Sequence, residues 1–84
     1  MQLLFSSQGW NDYLFWQETD KKMLKKINSL IVSISRDPFN GIGKPESLKY
    51  GLSDYWSRRI DQEHRLVYKV EGDICEILQC KGHY

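Results

Sequence analysis

The sequence has little of several features that mark specialised classes of protein. Its two cysteines are too few for the disulfide framework of a small secreted domain. No stretch approaches the roughly 20 apolar residues that a membrane-spanning helix needs. The amino terminus has neither the basic start nor the apolar run of a signal peptide. We therefore expect a reduced cytoplasmic protein without a membrane partner.

Net charge is also nearly absent. Twelve Lys and Arg residues stand against eleven Asp and Glu residues, which leaves a formal net charge of +1. A protein that coats nucleic acid by bulk charge needs many basic side chains on one surface, so this balance argues against that class. Any role on nucleic acid must come from a local arrangement of cations. The 84 residues and their 40% hydrophobic content predict a single domain over residues 1–84.

The first half of the chain predicts one strand and two helices. The apolar run at residues 3–5 is typical of an opening strand. Helical spacing begins at Trp10, with Ser7 as the expected N-cap. The pattern breaks at Thr19-Asp20 and restarts. The second helix must end by Asp37 because a proline follows, and proline disfavours helical geometry in the residue before it.

The second half predicts strands after a long connection at residues 37–53. Alternating apolar and aromatic residues predict strands at 55–60, 65–70 and 74–80, with a tight turn between the last two. The order β-α-α-loop-β-β-β indicates an α+β domain. We expect the two helices to pack on one face of an antiparallel sheet.

The two cysteines and two histidines do not predict a metal centre. Cys75 and Cys80 are five residues apart in a predicted strand, so alternation sends them to opposite faces and no disulfide is expected between them. With His64 and His83 they make four possible ligands, but the spacing matches no zinc pattern. The sequence therefore predicts no metal and no cofactor, and no basic helix terminus lies nearby to activate a cysteine nucleophile.

Four lysines crowd the first half of the second helix and form what we call the lysine face: Lys21, Lys22, Lys25 and Lys26. Like charges at i,i+4 destabilise a helix, and the helix dipole disfavours cations near the N-terminus. Two interpretations remain open at this point. The face is either an ordinary solvated surface or an electrostatic footprint for an anionic partner such as RNA.

Three arginines lie in the first two strands of the second half. Alternation places Arg59 on one face of its strand and Arg58 on the other, among apolar neighbours. Across the hairpin, Arg65 could point into the same groove as Arg59. Two guanidinium groups aimed at one spot form a phosphate site, because each offers a planar fork of donors. The alternative is that Asp61 and Glu63 neutralise these arginines as surface ion pairs.

The closing residues 81–84 (KGHY), which we call the tail, follow directly from the last predicted strand. Terminal residues ordinarily fray, but a strand can hold them in place. An imidazole such as that of His83 suits acid or base work near neutral pH. A tyrosine such as Tyr84 can stack on a base or bond a phosphate.

Several short runs, in order along the chain, resemble the YoeB/Txe toxins of the RelE-like superfamily. They are residues 16–21 (WQETDK), 25–28 (KKIN), 37–39 (DPF), 43–46 (GKPE), 55–60 (YWSRRI), 63–68 (EHRLVY) and 83–84 (HY). The resemblance implies a ribosome-dependent endoribonuclease that cuts mRNA in the ribosomal A site and inhibits translation. It also implies helices packed on an antiparallel sheet, akin to microbial ribonucleases.

The same resemblance implies roles for individual residues. Glu46 would be the general base and His83 the general acid, while Arg65 would stabilise the phosphate and Tyr84 would position the nucleotide. These groups suit a metal-free reaction, because RNA carries its own nucleophile in the 2′-OH and needs only proton transfer, charge stabilisation and alignment. The expected products are a 2′,3′-cyclic phosphate and a 5′-OH end.

The resemblance also implies partners. Lys49 and Arg59 would add contacts to the mRNA. Because the near-neutral net charge fits an enzyme that receives its mRNA from the ribosome, we also predict that the lysine face docks on ribosomal RNA. A cognate antitoxin would fold a disordered segment over the groove, and homodimerisation is implied as well. Two other functions stay open: a binder that blocks the ribosomal decoding site without cutting, and a passive partner in a DNA-bound repressor complex. No recognition helix is visible to support direct reading of DNA.

Overall fold

The computed structural model describes residues 1–48 and 54–83, so Lys49 and Tyr84 lie outside the described residues. Its elements, in chain order, are β1 (Gln2–Phe5), α1 (Ser7–Thr19), α2 (Lys21–Arg36), β2 (Glu46–Ser47), β3 (Tyr55–Arg59), β4 (Arg65–Glu71) and β5 (Ile74–Gln79). The α+β class and the order of the predicted elements are confirmed. The long connection contains one strand that the sequence did not predict, the two-residue β2.

The five strands form one mixed sheet in the order β1-β5-β4-β3-β2. Strands β2 to β5 pair antiparallel with their neighbours, as expected, but β1 runs parallel to β5. The expectation of a wholly antiparallel sheet was therefore wrong for one edge. Along the sequence, both helices come after β1 and before the other four strands. A crossover of that length permits parallel pairing, whereas a hairpin does not.

The N-cap of α1 is Ser6, one residue before the predicted Ser7. Ser6 has extended backbone geometry, and its hydroxyl accepts a hydrogen bond from the Gly9 N–H at 3.0 Å. The same hydroxyl donates to the carbonyl of Leu78 at 2.9 Å, so the cap also joins the helix to β5. Ser7 is exposed and lies inside the first turn.

Helix α2 begins and ends where the sequence predicts. The Asp20 carboxylate accepts hydrogen bonds from the N–H groups of Lys22 and Met23, and the helix ends at Arg36 with Asp37 as its C-cap. The capping carboxylate places a negative charge at the N-terminus and so offsets the unfavourable position of the lysine face. Neither helix of the described chain is both long enough and apolar enough to cross a membrane.

The core lies between the helices and one face of the sheet. Its main contributors are Met23, Ile27, Leu30 and Ile34 from α2, Leu66 and Tyr68 from β4, and Ile77 from β5. Helix α1 meets β5 so closely at Gly9 that a Cβ there would collide with the carbonyl oxygen of Ile77. That close approach explains why a residue without a side chain occupies this helical position.

A bulge in β5 corrects the prediction for the cysteines. Consecutive residues of β4 pair with Ile77 and Gln79, which leaves Leu78 as an extra residue. The extra residue shifts the alternation, so Cys75 before the bulge and Cys80 after it both lie fully buried in the same core. The two thiols are free, as expected, but they do not face apart. Burial raises the pKa of Cys75 to about 11 and that of Cys80 to about 12, so neither thiol is ionised near neutral pH.

Candidate active site

Arg58 shows how the loop before β2 is held in place. Its side chain is fully buried, and it donates to the hydroxyls of Tyr68 and Ser33 at 3.1 and 2.7 Å. It also donates at 2.7–3.1 Å to three carbonyls of the loop that follows α2: Asp37, Asn40 and Ile42. A guanidinium has five N–H donors, and all five are used here. Arg58 therefore ties the loop that leads to Glu46 against the sheet.

Glu46 and Arg65 meet on two different strands. Glu46 begins β2 and lies opposite Ser57 of β3, and Arg65 begins the next strand, β4. The Nη1 atom of Arg65 lies 3.5 Å from Oε1 of Glu46 and donates to the Ser57 hydroxyl at 3.2 Å. The Glu46 side chain is 53% exposed and that of Arg65 only 17%. The sheet therefore presents a solvent-accessible carboxylate against a guanidinium held by its surroundings.

Arg59 is brought beside this pair by the register of the hairpin. It lies directly opposite Arg65 in the antiparallel β3–β4 ladder, so the two residues share one face of the sheet. Asp61 and Glu63, the suggested neutralising acids, have other contacts. Asp61 caps the turn between the strands, and Glu63 lies 3.7 Å from His64 Nε2. Within residues 1–48 and 54–83, Arg65 contacts the carboxylate of Glu46.

The turn carboxylate of Asp61 accepts from two backbone N–H groups, those of Glu63 at 2.8 Å and His64 at 2.7 Å. Partial desolvation raises the pKa of Asp61, but these two hydrogen bonds outweigh it and leave the pKa below its ordinary value. The turn that precedes Arg65 is thus fixed by an ionised side chain at neutral pH.

The tail is attached to the start of β4. The Arg65 N–H donates to the carbonyl of Gly82 at 3.0 Å, and the Gly82 N–H donates to Nδ1 of His64 at 2.8 Å. The Gln79 side chain donates to the carbonyl of His83 at 2.9 Å. These bonds hold the backbone on both sides of the exposed His83, in keeping with the interpretation that a strand secures the tail. Arg65 thus lies between the Glu46 carboxylate and the backbone that carries His83.

The lysine face is exposed along the first two turns of α2. A cleft of about 320 Å³ separates this helix from the loop before β2. Its lining includes three cationic residues and three apolar ones: Lys25, Lys26, Arg59, Leu30, Ile42 and Ile60. The fold therefore brings Arg59 to the lysine face although about 30 residues separate them in the sequence, which spacing alone did not predict.

Sequence reasoning also missed the part played by His64, which it considered only as a metal ligand. In the structure its ring packs edge-to-face on Trp16 and accepts a hydrogen bond from the tail. The available signal was its position directly before Arg65. Among residues 1–48 and 54–83, no group of three or more His, Cys, Asp and Glu side chains is placed to hold a metal ion.

Comparison with known proteins identifies the family. Residues 5–84 match the family model described as "YoeB-like toxin of bacterial type II toxin-antitoxin system". The chain belongs to this family. Toxin YoeB of Escherichia coli K12 is 57% identical over 84 residues, which cover 100% of both chains. The resemblance seen in the sequence motifs is therefore confirmed.

Solved structures of family members have the same fold. The YoeB/ParE toxin from Agrobacterium tumefaciens is 51% identical, covers both chains completely and superposes with a TM-score of 0.95. The YoeB dimer from Staphylococcus aureus is 52% identical with a TM-score of 0.92, over 100% of this chain and 98% of that one. A heterotetrameric YoeB–YefM toxin–antitoxin complex from the same organism has a TM-score of 0.89 at 52% identity, with the same coverage.

Proposed function

We propose that this YoeB-like toxin is a ribosome-dependent endoribonuclease that cleaves mRNA in the ribosomal A site and so inhibits translation. The observation that carries the proposal is the position of Arg65. Its side chain contacts the Glu46 carboxylate, and its backbone binds the residue before His83. A carboxylate, a guanidinium beside it and an imidazole-bearing tail bound to the same arginine are the groups that cleavage of RNA through its own 2′-OH requires.

The reaction needs two proton transfers and one displacement at phosphorus. Glu46 takes the proton of the 2′-OH, and the 2′ oxygen attacks the adjacent phosphorus as the bond to the 5′ oxygen breaks. His83 donates a proton to the departing 5′ oxygen. The products are a 2′,3′-cyclic phosphate and a 5′-OH end, and no metal takes part in any step. Proton transfer by a positioned side chain contributes about 10²–10⁴-fold.

The guanidinium groups meet the negative charge that develops on the phosphate. The Nη1 atom of Arg65 lies 3.5 Å from Oε1 of Glu46. A phosphate oxygen bound at that Nη1 atom would therefore lie beside the Glu46 carboxylate. Arg59, opposite Arg65, adds a second cation to the same face. Donors fixed before the reaction stabilise such charge without reorganisation, and one of them is worth about 10²–10³ in kcat. Lys49 and Tyr84 complete the proposed set as contacts to the nucleotide.

The lysine face and the cleft beside it form the proposed surface for ribosomal RNA. The near-neutral net charge suits an enzyme that receives its mRNA already held by the ribosome, rather than one that captures free RNA by its own field. A cytoplasmic location follows from that partner. The Staphylococcus aureus complex with YefM and the YoeB dimer support a cognate antitoxin and a homodimer for this chain as well.

The deciding experiment maps mRNA ends after incubation of the purified protein with programmed ribosomes. We expect discrete cuts within translated codons, 5′-OH ends that accept phosphate from a kinase, and cyclic phosphate on the upstream fragment. Glu46→Gln and His83→Ala should abolish the cuts, whereas Arg36→Ala, an exposed site on α2, should leave them unchanged.

Two results would contradict the proposal. A linear 3′-hydroxyl at the cut would exclude attack by the 2′-OH. Stalled ribosomes with intact message would favour the binder that blocks the decoding site. The same reaction without ribosomes tests the dependence on the ribosome, since free mRNA should survive.

A further inference from the structure

His64 has a fixed place between α1 and the tail. It directly precedes β4, and its side chain is 14% exposed. The ring packs edge-to-face on Trp16 with 4.8 Å between ring centroids. Its Nε2 atom lies 3.7 Å from a carboxylate oxygen of Glu63, and its Nδ1 atom accepts the hydrogen bond from Gly82 N–H at 2.8 Å. Both ring nitrogens therefore have defined surroundings.

The backbone of His64 is equally constrained. Its N–H donates to the Asp61 carboxylate at 2.7 Å, and its carbonyl accepts from the N–H groups of Ile60 and Asp61 at 3.0 and 3.3 Å. With the backbone held by the turn and the ring packed against Trp16, the Nδ1 lone pair has a set direction. The ring offers the tail a pre-positioned acceptor.

The chain before the tail is fixed from the same side. Trp16 donates from Nε1 to the carbonyl of Cys80 at 2.8 Å, and the N–H of Cys80 donates to the buried Asp12 at 3.0 Å. Two residues later, Gly82 adopts φ +80°, a conformation that favours glycine, and turns the chain toward β4. Its N–H then donates to Nδ1 of His64, and its carbonyl accepts from the N–H of Arg65.

We propose that His64 is a positioning residue that fixes the tail so that His83 reaches the leaving oxygen of the RNA. The inference rests on the proposed function, because it acts through the general acid assigned there. His64 accepts a hydrogen bond from the backbone one residue before His83. Loss of that bond removes one of the three hydrogen bonds described for Gly82 and His83 and allows the imidazole to shift. A displacement of about 1 Å at a reacting group can cost on the order of 10²-fold in rate.

Two variants separate the acceptor from the ring. His64→Phe keeps an aromatic edge against Trp16 but has no acceptor, whereas His64→Asn loses the ring but places an amide oxygen near the position of Nδ1. Gln62→Ala, an exposed change in the same turn, is the matched control and should behave as the unaltered protein. Amide hydrogen exchange at Gly82 should accelerate in His64→Phe, and much less in His64→Asn.

The activity test uses two forms of the mRNA on programmed ribosomes, the natural one and one with sulfur in place of the 5′ bridging oxygen at the cut. A thiolate leaves without receiving a proton, so the sulfur substrate does not need the general acid. On natural mRNA we expect His64→Phe to lose about 100-fold in kcat, with KM nearly unchanged and partial recovery in His64→Asn. On the sulfur substrate, His64→Phe and His83→Ala should both recover, while Glu46→Gln should not.

Each failure has its own signature. If His83→Ala keeps full activity on natural mRNA, the proposed function is wrong. If His83→Ala is inactive but His64→Phe is fully active, or if the sulfur substrate restores His83→Ala and not His64→Phe, the positioning role of His64 is wrong. Unchanged exchange at Gly82 in His64→Phe would overturn it independently of any cleavage assay.

Discussion

Arg58 and Arg65 lie on neighbouring strands of one hairpin, but their side chains lie on opposite faces of the sheet. Arg58 points into the core, where all five of its N–H donors are used by oxygens of the protein. Arg65 points to the other side of the sheet, beside a half-exposed carboxylate and the tail. The comparison teaches that the same side chain holds the loop in one place and forms the candidate phosphate site in the other. Exposure and the identity of the acceptors, rather than residue type, separate the two roles.

The largest expected effect is the loss of unfolding free energy when the buried Arg58 is replaced. Arg58→Ala removes the donor for two hydroxyls and three carbonyls, and each buried acceptor left without a partner costs about 1–3 kcal/mol. Arg58→Lys should recover little, because an ammonium cannot reproduce the planar fork. Urea denaturation measures the free energy of unfolding, with Arg36→Ala as the exposed-arginine control. A loss as small as that of the control would show that Arg58 is not the tie described here.

On the other side of the sheet, Arg65→Ala should affect activity more than stability. Loss of one preorganised donor costs about 10²–10³ in kcat. The ion pair with Glu46 is partly solvated, so its removal should change the unfolding free energy by about 1 kcal/mol or less. Single-turnover cleavage on programmed ribosomes and urea denaturation test the two halves of the prediction. The comparison would break if Arg65→Ala unfolded the protein as readily as Arg58→Ala.

A smaller effect is expected at the lysine face. Reversal of Lys25 and Lys26 to Glu should weaken ribosome association and flatten its dependence on salt, because each lost phosphate contact lowers the salt slope by about 0.7–0.9. Arg36→Glu reverses a charge on the same helix outside the cleft and should have little effect. Sedimentation with ribosomes at several salt concentrations provides the measurement. Equal binding by the double variant and the unaltered protein would exclude this footprint.

The smallest effect concerns the buried thiols. Their pKa values are raised from 9.0 to about 11 and about 12 in the folded chain. Above about pH 9 the thiols ionise in the unfolded chain but stay protonated in the folded one, which favours unfolding. The free energy of unfolding is therefore unaffected by the thiols below about pH 9 and falls as pH rises further. Each thiol contributes a slope of at most about 1.4 kcal/mol per pH unit. Urea denaturation from pH 7 to 10 should show this fall.

Burial also raises the pKa of the Tyr68 hydroxyl above its ordinary value, so its ionisation lowers stability at high pH in the same direction as that of the thiols. A Cys75→Ala/Cys80→Ala variant therefore serves as the control for the thiols, and its stability should fall less steeply above pH 9. Identical slopes in the variant and the parent would show that the thiols do not cause the dependence.

The sequence predicted elements whose signals are local. Asp20 and the Asp37-Pro38 pair marked the limits of α2, and the alternation of β3 separated Arg58 from Arg59. It did not predict features that depend on distant partners. The bulge at Leu78 arises from the pairing of β5 with β4, and the direction of β1 depends on where the chain returns to the sheet.

The candidate site follows the same division. The residues were named from motifs, but the contact of Glu46 with Arg65 requires the register of a two-residue strand that has no periodicity of its own. The link from His64 to Gly82 joins residues 18 positions apart through a side chain and a backbone group, and alternation carries no signal for such a bond.

The complete use of the Arg58 donors has a practical consequence for anyone who needs a harmless form of this toxin. Screens for loss of toxicity should return Arg58 substitutions, but such proteins would be destabilised and therefore poor bait for an antitoxin. Changes at the half-exposed Glu46 leave that internal tether untouched. An inactive but correctly folded variant should therefore carry its substitution at the half-exposed Glu46 and not at the buried Arg58.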